Sequence, residues 1–273
     1  MTRRQNHQVN LTILTLLLLT AATAVLIMRI NSTVSDGSSP PSPDVEHPIT
    51  DPTSTISPEG PGLSSYPEGL SELYYKNEDA RDFVLHYLDD RTVPAPEDID
   101  LTALADTDGV PLLMQWDERW GYNQYAGNLF GLSGCGPTCL SMAAIYLTGD
   151  ATLNPLYVAE FAERNGYAAN GNGTKWTLFS EGAVQLGLTS RELPLSEAVI
   201  DAHLTAGEPV VLIMGPGDFT DSGHFIVLTG VTDGGYTVND PNSYKNSEKR
   251  WPYEAIADQI RNIWALSYEG GNA

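Results

Sequence analysis

The sequence predicts an α+β domain over residues 109–269, with helices first and an antiparallel sheet after them. Three observations lead there. Four segments between Pro137 and Ala206 carry helix start or stop residues. From Pro209 onward, short runs rich in Val, Ile, Leu and Thr replace the helical spacing. Between two of those runs stands Thr232-Asp233-Gly234-Gly235, a turn sequence that joins antiparallel neighbours.

The chain opens outside that domain. Leu11 to Met28 is an apolar run without a charge, preceded by Arg3 and Arg4. Its 18 residues, at ~1.5 Å each, just cross a hydrocarbon core of ~30 Å. Arginines ahead of the run favour an inside amino terminus and an exported remainder. Ala22-Thr23-Ala24 has the small-x-small form of a signal cleavage site, but Val25 to Met28 continue the run past it. Residues 1–30 are therefore expected to anchor the protein in the cell membrane by a single helix, leaving an extracytoplasmic domain. A cleaved signal segment and a secreted protein is the alternative. No cysteine lies near this segment, which excludes a lipid anchor on cysteine.

Residues 31–64 hold seven prolines and twelve serines or threonines without apolar periodicity, as in a disordered, partly extended linker. Residues 65–108 differ. Leu70, Leu73 and Tyr74, then Ala80, Phe83, Val84, Tyr87 and Leu88, recur at three and four. That spacing predicts one or two short amphipathic helices, a prelude packed on the main domain. A helix that binds a partner is the alternative.

In the main domain, Pro137 suits the first turn of a helix reaching about Leu147. Asn154-Pro155 caps and opens a second, to about Arg164. Thr177 to Leu186 reads as a third, stopped by Gly187, and Ser196 to Ala206 as a fourth, stopped by Gly207. The strands follow: Pro209 to Met214, His224 to Thr229, Gly235 to Asn239, and Asn262 to Tyr268. Residues 270–273 are a tail.

The whole chain has 35 acidic against 14 basic residues, a net charge of −21. Such a surface repels nucleic acid and anionic lipid. There is no HExxH, no paired CxxC and no nucleotide-binding loop, so neither metal, cofactor nor nucleotide is expected. Asp218 and Asp221 lack the regular alternation of a calcium loop.

Both cysteines of the chain lie in Leu132-Ser-Gly-Cys-Gly-Pro-Thr-Cys-Leu-Ser-Met. A bridge between residues four apart would close almost no loop and stabilise little. Cys135 stands between two glycines at a helix start, where backbone N–H groups and the dipole favour a thiolate. Cys139 falls one turn further in, a core position. On this stretch alone Cys135 is a nucleophile or a packed thiol. A nucleophile needs a base. His203 lies within a predicted helix, whereas His224 opens a strand at the rim of the sheet. Asp240 ends the next strand, and the hairpin closing near residue 232 would bring it to His224, where a carboxylate orients an imidazole. Asp240 also suits a turn cap, and Asp233 suits it better. An oxyanion donor is the remaining part. Gln115 offers a side-chain amide, as do Gln124 and Gln185. Trp116 and Trp120 fit core or cleft wall.

Val110-Pro-Leu-Leu-Met-Gln-Trp-Asp, Gly134-Cys-Gly-Pro-Thr-Cys-Leu-Ser-Met, Gly223-His-Phe-Ile-Val-Leu-Thr-Gly and Val238-Asn-Asp-Pro-Asn resemble the papain-like cysteine peptidases related to the bacteriocin-leader-processing (double-glycine) family. The resemblance spans about residues 109–268. It implies a papain-like fold with Cys135 as nucleophile, His224 as base, Asp240 as orienter and Gln115 as the oxyanion glutamine. The leader-processing enzymes keep that glutamine a few residues before the cysteine; Gln115 precedes Cys135 by twenty. They are also fused to transporters, which this chain lacks. The expected function is an extracytoplasmic cysteine peptidase with a peptide or protein substrate. A cell-wall peptide amidase of the same fold and an inactive peptide-binding module are the alternatives.

Overall fold

The computed structural model describes residues 62–270 apart from 90, 91, 106 and 172. The expected anchor, nearly all of the expected linker and the last three residues lie outside the described residues. Among the described residues no helix is long and apolar enough to cross a membrane.

The apolar pattern of the prelude forms two short helices, α1 (Glu68–Lys76) and α2 (Arg81–Leu85), and a single further turn stands at Thr102–Ala105. Their buried residues are those that recur at three and four: Leu70 and Leu73 in α1, Phe83 and Val84 in α2. Leu88, at the end of the same pattern, is exposed. These side chains form a cluster with Met114, Trp116, Tyr122 and Leu129 of the main domain. Phe83 is its centre. Its ring stacks on Tyr122 with centroids 4.3 Å apart, and its carbonyl accepts from the Tyr122 hydroxyl at 2.7 Å. The ring leaves no room for a Cβ on Gly121 or Gly131. The prelude is thus built into the core.

Further helices follow in the main domain. In α3 (Cys135–Thr148), every residue from Gly136 to Ile145 is buried, as expected for a helix apolar on all sides. Gly149, in the left-handed region, ends it. In α4 (Pro155–Arg164), the Asn154 side chain caps the first turn by accepting from the Tyr157 N–H at 3.0 Å. Helix α5 (Glu197–Thr205) packs elsewhere, through Ile200 and Leu204. The helix expected over Thr177 to Leu186 is instead a π-helical stretch, Leu178–Gly182, continued by an α-turn, Ala183–Gln185. The wider turn lets Leu178, Phe179, Gly182 and Ala183 all be buried.

Among the described residues one sheet has six strands: β1 (Thr189–Glu192), β2 (Val210–Met214), β3 (His224–Thr232), β4 (Gly235–Asn239), β5 (Arg250–Trp251) and β6 (Ile260–Ser267). Their order is β1-β6-β2-β3-β4-β5, and every pair is antiparallel. Alternate residues serve opposite faces. Val211, Ile213, Phe225, Val227, Trp264 and Leu266 join the core of α3 and α4. Leu212, Met214, Ile226, Leu228, Ile263 and Ala265 join the core of α5. Burial on both faces explains why the central strands read as continuous apolar runs. The edge strands β1 and β5 have no such run, and the sequence did not announce them.

Truncation of Phe83 to Ala is expected to destabilise the fold by about 3–5 kcal/mol, because the cavity lies between prelude and main domain. Urea unfolding followed by tryptophan fluorescence measures the loss. A midpoint equal to that of the parent would mean that the prelude is not part of the cooperative core.

Candidate active site

Cys135 is the first residue of α3 and is half-buried. The helix starts two residues before Pro137, and its cap Gly134 supplies no side-chain hydrogen bond. Gly136 allows the helix end to approach the Thr174 side chain; a Cβ there would lie 2.4 Å from the Thr174 hydroxyl. The His224 side chain and the backbone N–H groups of Phe225 and Gly136 are the groups that act on the sulfur. Burial pushes the thiol pKa up. His224, with its charge and hydrogen bond, and the two N–H groups push it down by more, so Cys135 titrates below the ordinary thiol value. Cys139, fully buried four residues on, is pushed well up by burial and then by the charges of Cys135 and Asp240. Both cysteines are free thiols.

His224 opens β3 and is buried, and its Nε2 lies 2.7 Å from Asp240 Oδ1. Burial alone would lower its pKa. The Asp240 charge and hydrogen bond, helped by Cys135, raise it to about 10. With Nε2 bound to the carboxylate, Nδ1 is the ring nitrogen left for the sulfur. Asp240 follows β4 and is 1% exposed. Its Oδ1 also accepts from the Asn242 N–H at 2.9 Å, and its Oδ2 from Asn246 Nδ2 at 2.8 Å. Turn cap and imidazole partner, separate readings in the sequence, are both true of this one carboxylate.

The register of β3 and β4 explains the approach. Around the turn, Thr232 pairs with Gly235 and Gly230 with Thr237; beyond it, Leu228 pairs with Val238 and Val227 with Asn239. Thr229 is the extra residue of a β-bulge. Continued by one step, the register sets Asp240 opposite Ile226, on the same side of the pleat as His224. Without the bulge Asp240 would fall opposite Val227, on the other face. The two residues therefore meet diagonally, not directly across the ladder.

Gln115 is anchored twice. Its N–H donates to Pro241 O at 2.7 Å, beside Asp240, and its Nε2 donates to Gly131 O at 2.9 Å, four residues before Cys135. The intervening segment loops out and returns through Phe130 N–H to Asn123 O and Gly131 N–H to Gly121 O. Twenty residues in sequence thus shrink to the two ends of one closed loop. One Nε2 hydrogen is committed to Gly131, and the other is left for a ligand. Gln115 Oε1 is buried without a partner.

Two cavities meet at Cys135. One, about 540 Å³, is lined by Cys135, His224 and Gln115, by residues 217–223 and by α1 of the prelude. The other, about 440 Å³, is lined by Cys135, Gly171, Gly173, Trp176 and Phe225, without His224 or Gln115. His203 lines neither; its Nδ1 pairs with Glu208 at 2.5 Å. Trp120 is core, and Trp116 belongs to the prelude cluster with its indole N–H donating to Asn242 O at 3.3 Å. Sequence reasoning missed Asn246 and the Phe225 N–H, which no residue pattern marks. Asn242 had a signal in Asp240-Pro-Asn.

A family model described as "Peptidase_C39 like family" matches residues 107–271. Comparison with curated proteins finds no match. Among solved structures, the peptidase domain of Streptococcus ComA, a bifunctional ABC transporter involved in a quorum-sensing pathway, is similar at 19% identity and a TM-score of 0.43. The alignment covers 59% of this chain and 99% of that one. A Bacillus anthracis protein named as a candidate C39-like peptidase is similar at 17% identity and a TM-score of 0.41, over 62% of this chain and 98% of that one.

The lowered Cys135 pKa gives a chemical test. Iodoacetamide is expected to alkylate Cys135 with a midpoint below the ~8.5 of a free thiol, and Cys139 not at all in the folded protein. His224→Ala removes the hydrogen bond and the positive charge, so the midpoint should move upward. Mass spectrometry of the peptide carrying both cysteines reads the rates. A midpoint at or above the ordinary value in the parent contradicts the stabilised thiolate.

Proposed function

The chain belongs to the Peptidase C39-like family, and on that premise we propose that it is a cysteine peptidase using Cys135, His224 and Asp240. One observation carries the reading: Cys135 and His224 line the same cleft, and His224 is held from behind by a 2.7 Å hydrogen bond to the buried Asp240. The order of titration supports it. With the thiol pushed down and His224 pushed up to about 10, both shifts favour a thiolate facing an imidazolium.

The thiolate attacks the scissile carbonyl carbon, forming a C–S bond and moving the C=O electron pair onto oxygen. The Cys135 N–H and the uncommitted Gln115 Nε2 hydrogen are the candidate donors to that oxyanion. On collapse the C–N bond breaks, and the imidazolium gives its Nδ1 proton to the leaving amine. The neutral imidazole then removes a proton from water, which attacks the thioester and releases the acid. Asp240 keeps the ring oriented and stabilises its charge in both half-reactions. The apolar run Leu11 to Met28 behind two arginines supports an extracytoplasmic place for this chemistry, with the amino terminus in the membrane.

Turnover of a peptide library by the parent, Cys135→Ala and Gln115→Ala chains tests this reading. Cys135→Ala is expected to lose roughly 10⁴-fold or more in kcat, and Gln115→Ala about 100- to 1,000-fold with a smaller change in KM. Equal product formation by parent and Cys135→Ala removes the mechanism. Exported placement has its own measurement: protease added to intact cells should degrade the domain, and complete protection would place it inside.

A further inference from the structure

The two cavities that meet at Cys135 are not equivalent. His224 borders only the larger one. A proton can pass from its ring only to a leaving nitrogen within hydrogen-bond reach. If Cys135 and His224 act as proposed above, on which this inference rests, the amine half of the substrate lies in the larger cavity and the acyl half in the other.

One wall of the leaving-group cavity comes from the prelude, through Glu72, Leu73, Lys76 and Asn77 of and beside α1. Helix α1 sits close because Gly69 has no side chain; a Cβ there would lie 2.8 Å from Leu132 Cδ1. Its carboxyl end is tied to the segment after Asp240. Asn77 Nδ2 donates to Asn242 O at 2.5 Å, and Asp79 accepts from the Tyr244 N–H at 3.0 Å. The loop before His224 contributes Asp218 and Asp221, and Lys76 Nζ reaches Asp221 Oδ2 at 3.7 Å.

The charge of this cavity is one-sided. Glu72, Asp218 and Asp221 face it against Lys76. Lys76 is already opposite Asp221, and Asp218 has a neutral partner, the Gln259 amide at 2.6 Å. A separate observation points the same way. Gln115, 5% exposed and lining this cavity, holds its Oε1 without a hydrogen-bond partner, an acceptor suited to an N–H donor. We propose that the prelude helix α1 is a specificity wall for the leaving segment, and that this cavity takes a lysine or arginine side chain from the first few residues after the scissile bond.

Binding tests this without requiring turnover. Fluorescein-labelled octapeptides with a free amino terminus, bearing either Lys or Glu at their first three positions, are titrated into the full-length Cys135→Ala chain by fluorescence anisotropy. At low salt the Lys peptide is expected to bind about 10-fold tighter, with the gap narrowing at 0.5 M salt. Adding Glu72→Lys should reduce the preference to about 3-fold or less. Because the whole chain is acidic, Asp150→Lys is the control. It makes the same charge change beyond the far end of α3, ~20 Å from Cys135 by helix rise, and should leave the preference in place. Equal affinities, no binding of either peptide, or equal effects of Glu72→Lys and Asp150→Lys overturn the proposal. A retained Lys preference in a protein whose parent cleaves nothing would remove the peptidase reading and leave the wall standing.

Discussion

The buried contact between His224 and Asp240 is the constraint on which the rest of the site depends. A carboxylate 1% exposed, 2.7 Å from an imidazole, is stable only if its other lone pairs are also used. The Asn242 N–H and the Asn246 amide use them. These partners lie within six residues of Asp240, so the turn after β4 is a receptor for one carboxylate. With that charge fixed, the His224 pKa is raised to about 10, and His224 in turn pushes the Cys135 thiol below its ordinary value. Remove Asp240 from this line and burial would act on His224 against the smaller contribution of Cys135 alone, which shifts the balance toward the neutral ring and, through it, the neutral thiol.

The architecture places these groups at a rim. The sheet is buried on both faces, so no cleft can open across its middle. Polar side chains gather where β3 begins and β4 ends, beside the first turn of α3. The prelude completes that rim. Its cluster with Met114, Trp116 and Tyr122 fixes the chain on either side of Gln115, and Trp116 reaches the Asn242 carbonyl as Asn77 does. The segment expected to pack on the main domain therefore also lines one side of the cleft.

What the sequence disclosed, and what it hid, follows from the range of each cause. Helix caps, turn residues and apolar runs act locally, and they disclosed α3, α4, α5 and the central strands. The approach of Asp240 to His224 was legible because a hairpin turn fixes pairing over a short distance. The bulge at Thr229 was not, since neither glycine nor proline marks that residue; Gly230 follows it. The place of Gln115 was obscured by counting along the chain, because the returning loop is closed by backbone hydrogen bonds that leave no residue signature. The edge strands β1 and β5 lack alternation because their register is imposed by the neighbours they pair with. The place of α1 beside the cleft depends on the absent side chain of Gly69 against Leu132, a contact set by tertiary packing.

The two cysteines isolate the physical cause most sharply. They share a helix, lie four residues apart and are the same chemical group. Cys139 has the same helix around it but no imidazole against its sulfur, and its thiol is pushed well up. Cys135 is penalised by burial as well, and burial is the largest single influence on it, yet it titrates below the ordinary value because His224 and two backbone N–H groups together outweigh that penalty. The helix amino terminus contributes the Gly136 N–H to that sum. Its position matters because it delivers the sulfur to the rim, within reach of a histidine whose own charge is secured from behind by Asp240.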